Sequence, residues 1–136
     1  MSTWKNADKG EPIVTPTGEV IHEIFGNEVG GTKQHSLARI RLPPGKSSAP
    51  HYHPVAEESY YILEGHAKVV TSPFVEGEES SKEGQKEETV HLLEAGDAIG
   101  IQTHTWHQIW NAKEDQDLVF LAVCTPPWDP QCSVFK

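Results

Sequence analysis

The sequence has no stretch approaching the ~20 consecutive apolar residues that a membrane-spanning helix requires. Its opening, Met1 to Glu11, has no apolar h-region, so no secretory signal is expected. Cysteine is scarce, with only Cys124 and Cys132. Two isolated thiols fit a reducing compartment, and a cytoplasmic protein is the expectation. Basic residues are outnumbered, 11 against 20 acidic ones, for a formal net charge of -9. Such a chain repels phosphate backbones and anionic surfaces, so neither nucleic acid nor membrane is an expected partner. Much of the negative charge falls in one segment, residues 76–88. No twelve-residue window carries a convincing helical period, no internal repeat stands out, and no helix-turn-helix accompanies the rest.

What remains is a chain of short strands and turns. Its 136 residues suit one domain, 1–136, large enough to bury roughly two thirds of its unfolded surface. Eleven glycines and ten prolines punctuate it. Residues 1–18 read as a polar arm with room for one short strand, and 125–136 as a Pro-rich tail in which Pro126, Pro127 and Pro130 exclude regular helix and central strand. Between them, Val20 to Phe25 and Ser36 to Leu42 read as strands. In the second, Leu37, Arg39 and Arg41 alternate with Ala38, Ile40 and Leu42. Ser59 to Leu63 turns through Glu64-Gly65 into His66 to Thr71, a hairpin signal. Residues 73–88 read as a solvated loop. Thr89 to Leu93, Ala98 to Gln102, Trp106 to Trp110 and Asp117 to Cys124 complete the set. Many short strands joined by turns predict an all-β sandwich or barrel.

Two histidine-bearing clusters lie about fifty residues apart. The first runs from Gly45 through His51, His53, Glu57 and Glu58 to Gly65. The second runs from Gly96 through Gln102, His104 and His107 to Asn111. Side chains at i and i+2 of a strand share a face, so His51 and His53 project together. A carboxylate beyond the Pro54 corner and a histidine from a neighbouring strand can close the set. Three imidazoles with one carboxylate suit Fe, Mn, Ni, Co, Cu or Zn better than the all-oxygen cations Ca and Mg.

These clusters resemble the two motifs of the cupin superfamily. Gly45, His51, His53, Glu58 and Gly65 match the first, G-x5-H-x-H-x(3,4)-E-x6-G. Gly96, His107 and Asn111 match the second, G-x5-P-x-G-x2-H-x3-N, with Gln102 where the family has Pro and His104 where it has Gly. The likeness covers residues from about 37 to 124 and is nearest to the small stand-alone cupins described as like phosphomannose isomerase. It implies a single jelly-roll β-barrel, one divalent transition metal per chain held by His51, His53, Glu58 and His107, and a homodimer.

Other residues carry weaker expectations. Tyr60 shares parity with Glu58 and is a candidate proton donor or core tyrosine. His104 is a candidate base at the site mouth or a water-facing turn residue. Arg39 and Arg41 clamp an anion if their face is inside, and make surface contacts if it is outside. Trp106 and Trp110 frame His107 and either line a pocket or simply pack. Gln108 and Asn111 are possible hydrogen-bond partners there, with Asn111 read rather as a turn-forming residue. Trp128 and Phe135 are expected to plug a barrel end or meet a second subunit. The expected function is that of a metal-dependent enzyme acting on a small polar organic molecule, with dioxygenase-like or isomerase-like chemistry. The alternative is a non-catalytic module that binds a sugar or other metabolite.

Overall fold

The computed structural model describes residues 1–74 and 87–135. They form β1 (Ile13–Val14), β2 (Val20–Phe25), β3 (Ser36–Leu42), β4 (His51–Tyr52), β5 (Glu57–Glu64), β6 (His66–Pro73), β7 (Thr89–Glu94), β8 (Ala98–Ile101), β9 (Thr105–Asn111), β10 (Leu118–Thr125) and β11 (Val134–Phe135). Most of the expected acidic loop at 73–88 lies outside the described residues; Pro73 itself ends β6. One sheet has the order β1-β2-β3-β10-β5-β8 and the other β11-β4-β9-β6-β7, with antiparallel pairing throughout the described ladders. This is the all-β jelly-roll arrangement.

Strand parity builds the interior. On β3 the faces separate as the alternation requires, with Ser36, Ile40 and Leu42 buried and Arg41 exposed. Opposite them on β10 stand Cys124, Ala122, Phe120 and Leu118, and β5 adds Glu58, Tyr60 and Ile62. The facing sheet contributes Ala67, Val69 and Ile109. Leu42, Ile62, Val69, Ile109, Leu118 and Phe120 are fully buried. Each such side chain stabilises the fold by roughly 1.5–3 kcal/mol. The inner face is therefore apolar towards one end of the strands, and changes character at the rung Ser36, Cys124, Glu58.

Gly65 closes the β5–β6 hairpin at φ 85°. A Cβ there would meet the Asp117 carbonyl oxygen at 2.4 Å, so the motif glycine answers both to a left-handed turn and to a close backbone approach. Asn111 ends β9 by donating to the Leu42 and Gln116 carbonyls and accepting from the Lys113 amide. Its work is on that turn and not on His107.

Arg39 and Arg41 face outward. Arg39 pairs with Asp8 of the arm, and Arg41 lies 3.5 Å from Asp117. Three strands have only two residues each. β1 is the short strand that the arm has room for, β4, expected to carry both His51 and His53, ends at Tyr52, and β11 is an edge strand that the sequence pattern does not announce. The arm supplies β1 and the tail supplies β11, and each becomes the edge of one sheet.

Candidate metal centre

The four motif side chains come from three elements and one corner. His51 on β4 pairs directly with His107 on β9. His53 follows two residues later, its carbonyl held by the His104 amide at 2.9 Å. Glu58 stands on the inner face of β5, 8% exposed, while Glu57 is exposed on the opposite face. The ring centroids of His51 and His107 are 4.2 Å apart, those of His51 and His53 4.9 Å, and those of His53 and His107 5.3 Å. One donor atom from each of the four residues lies within 4.8 Å of all the others. That is the scale of one coordination shell, in which donors ~2.1 Å from an ion stand about 4.2 Å apart when opposed.

The hydrogen bonds assign the ring nitrogens. His51 Nδ1 lies 2.8 Å from the Ala49 carbonyl, His53 Nδ1 3.1 Å from that of Cys132, and His107 Nδ1 2.9 Å from that of Thr105. A carbonyl can only accept, so each Nδ1 carries the hydrogen and donates it. A ring so held offers its Nε2 to a metal once that nitrogen is free of a proton, and this is the arrangement that orients a metal-ligating histidine. His53 Nε2 is buried with no hydrogen-bond partner. It lies 3.4 Å from Glu58 Oε1, close enough for charge attraction but outside hydrogen-bond geometry. His107 Nε2 is 3.2 Å from the same oxygen. A proton or a metal ion can sit among these nitrogens and the carboxylate, and the donor set of three imidazoles and one carboxylate fits a divalent transition metal.

The electrostatics agree. Burial works against charge on Glu58, yet the neighbouring His107 and His53 hold its carboxyl well below the usual range. Burial, reinforced by His107, pushes His51 down to about 4, which keeps it neutral. Burial opposes a charge on His53 as well, but contacts with Cys132 and the Glu58 carboxylate outweigh it and raise its pKa to about 10. The cluster thus draws positive charge to itself.

Residues outside the motifs complete the surroundings. The Cys124 thiol donates to Glu58 Oε2 at 3.1 Å, which leaves Oε1 turned towards the histidines. Burial, and then the Glu58 charge, push this thiol's pKa up, so it stays a donor. Both cysteines are free. Cys132 and Ser133 bring the tail against His53 Nδ1. The position of Cys124 was readable, since it shares parity with the apolar Leu118, Phe120 and Ala122. The tail contacts left no such signal.

Three of the four side chains, His51, His53 and Glu58, line a cavity of about 450 Å³. Tyr60 lines it too, 3% exposed and edge-on to Phe120 at 5.0 Å. Burial and the Glu58 charge raise the Tyr60 phenol's pKa well above the ordinary value, so it remains protonated. His104 is elsewhere. It is exposed at φ 57°, a left-handed turn that glycine adopts more readily, and it stacks on Tyr52 and Phe74 at 5.9 and 6.0 Å. Neither Trp106 nor Trp110 lines the cavity. Trp106 lies edge-on to Tyr52, and Trp110 carries the Lys68 ammonium 4.9 Å above its ring. Trp128 and Phe135 do line it, and Phe135 sits 5.7 Å from the His51 ring.

Two antiparallel sheets with a three-histidine, one-carboxylate cluster inside one end define a cupin-type β-sandwich. The match to the cupin-domain family model over residues 38–124 places the chain in that family, to which it belongs. An uncharacterized protein of Methanocaldococcus jannaschii is 30% identical over 121 residues, covering 89% of this chain and 84% of that protein. An oxalate decarboxylase of Arthroderma benhamiae is 33% identical over 119 residues. The match covers 88% of this chain but only 26% of that enzyme. The solved structure of KdgF from Halomonas superposes with a TM-score of 0.73 at 16% identity, covering 95% of this chain and 97% of that one, a likeness of fold.

Proposed function

We propose that this chain is a mononuclear metalloenzyme in which His51, His53, Glu58 and His107 hold one divalent transition metal. A small organic molecule enters the cavity and is converted beside the metal. The observation that carries this reading is the set of three histidines whose Nδ1 hydrogens are tied to backbone carbonyls, so that their Nε2 atoms meet the Glu58 carboxylate at one point. When bound, Fe, Mn, Ni, Co, Cu or Zn would supply Lewis-acid activation, and a redox-active member of that group would also support oxygen-dependent chemistry. Dioxygenase-like and isomerase-like conversions both use such a centre.

The chain's own residues have separate tasks. Cys124 fixes which Glu58 oxygen faces the centre. Tyr60, as a phenol that keeps its proton, donates a hydrogen bond to negative charge developing on the bound molecule. The apolar wall excludes water from the reacting end. His104, on the outer surface, belongs to the aromatic stack with Tyr52 and Phe74.

The fungal relative is named for oxalate, but a small dianion is a poor match for this cavity. Among the described residues that line it there is neither Lys nor Arg, and Glu19 and Glu23 add acidic groups. The test is a pair of variants. His107→Ala should lose the metal, and Tyr60→Phe should keep the metal while losing turnover. A Tyr60→Phe protein that turns over at the wild-type rate would remove Tyr60 from the chemistry. A metal-loaded wild type that binds but never converts its ligand would leave a binding module.

A further inference from the structure

The cavity has two ends of opposite character. Its floor is the histidine–glutamate cluster. Its walls are Ile21 on β2, Ala38 and Ile40 on β3, Ala122 on β10, and Trp128 and Phe135 from the tail. Ile13 of the arm strand and Phe135 of the tail strand also line the cavity and are 50% and 61% exposed. A volume of about 450 Å³ falls within the range of small-molecule pockets, roughly 300–1,000 Å³.

Charge narrows the occupant further. The described lining residues include neither Lys nor Arg, and the strand that could have supplied two arginines turns them away. Arg39 and Arg41 point outward to Asp8 and Asp117. The acids on the wall, Glu19 and Glu23, flank Ile21 along one strand face. Burial raises the pKa of both, to about 7 for Glu19, so the wall already resists negative charge and an arriving anion would meet more resistance. The cluster can meet one oxygen-bearing end of a ligand. A second anionic end would meet no Lys or Arg, only apolar side chains, the neutral hydroxyls of Thr15, Thr17 and Ser133 and the acids Glu19 and Glu23, at the cost of its desolvation.

Resting on the metal reading above, we propose that the cavity takes a neutral organic molecule with an apolar body and one oxygen-bearing end, the oxygens on the metal and the body among Ile21, Ile40 and Trp128. The expected polar substrate is thereby narrowed. Polarity belongs to one end only, and dicarboxylates and sugar acids are disfavoured.

Two chelators of identical head group, each neutral in solution and losing one proton on chelation, give a direct test of the apolar body: acetohydroxamic acid, which has only a methyl group, and benzohydroxamic acid, which carries a phenyl ring. Oxalate is the dianionic comparison. Each is titrated calorimetrically into zinc-reconstituted full-length protein whose zinc content has been measured first. Burying the ring should make benzohydroxamic acid bind ~10-fold more tightly than acetohydroxamic acid. Oxalate should bind more weakly than benzohydroxamic acid. Trp128→Ala and Phe135→Ala, the second at the exposed rim, should each reduce the advantage of benzohydroxamic over acetohydroxamic acid, measured as the ratio of the two affinities in the same zinc-loaded variant. Protein that holds no zinc would overturn the metal reading itself. Zinc-loaded protein with no preference for the ring, a preference for oxalate, or a ring preference untouched in both variants would overturn the substrate class alone.

Discussion

Cys124 sits on the inner face of β10 and gives its hydrogen to the one Glu58 oxygen that the histidines do not approach. Hydrogen bonds behind a ligand typically matter 10–100-fold in metal affinity. Cys124→Ala should therefore weaken metal binding by ~10-fold or more, and Cys124→Ser, which restores a donor, should recover most of it. Competition against a chromophoric chelator reads both values, and equal affinity in all three proteins would dismiss the contact. Glu19 makes a different prediction. Burial, and then the Glu58 charge, move its pKa from 4.5 up to about 7 against the opposing hydrogen bond from Thr15. Between those values the folded chain keeps a proton that the unfolded chain releases. The stability linked to Glu19 is thus present below pH 4.5 and lost as pH rises through 7. Glu19→Gln should flatten this part of the profile in urea unfolding between those limits, and an unchanged slope would place the proton elsewhere.

At the scale of elements, the least supported part of the site is β4. It has two residues, pairs with β9 through His51 and His107 alone, and is covered on its other side by β11. The tail also supplies the Cys132 carbonyl that fixes the tautomer of His53. A chain ending at residue 130 keeps the apolar core and loses these supports. It should remain folded by circular dichroism yet bind metal ~10-fold or more weakly. Undiminished affinity would show that β4 holds its histidines unaided. This element also marks where sequence reading stopped. The alternation of Ser36 to Leu42 and of Leu118 to Cys124 is a period of two over seven or more residues, and both strands appear with the expected faces. A two-residue strand has no period to read. β1 forms on the edge of the longer β2 and β4 on that of β9, and β11 in turn pairs with β4, tertiary facts that local pattern does not contain. The same holds for Arg39 and Arg41, whose outward side followed only once Ile40 and Leu42 were known to pack on Phe120 and Leu118. His51, His53, Glu58 and His107 were legible together through the fixed spacing of the two motifs, although His53 reaches the cluster from beyond the end of β4 and not from a shared strand face. The hydrogen bonds behind them were not, since Cys132 and Ser133 reach His53 across about eighty residues.

For the whole molecule, one end of the sandwich is apolar core and the other is a cavity with a metal-binding floor. The cluster concentrates lone pairs and a carboxylate where the interior is otherwise dry, an arrangement that a bound cation stabilises and whose ligands must shed protons to receive it. Chelation should therefore lower the melting temperature, and metal affinity should fall as pH drops and the histidines are protonated. Among the described residues no helix is long and apolar enough to cross a membrane. The most direct measurement is metal content by inductively coupled plasma mass spectrometry, on protein purified without an affinity tag and on the His51→Ala, His53→Ala double variant beside it. The account predicts about one transition-metal ion per wild-type chain and almost none in the variant. Wild-type protein that stays metal-free after reconstitution, or a double variant that keeps full occupancy, would contradict it.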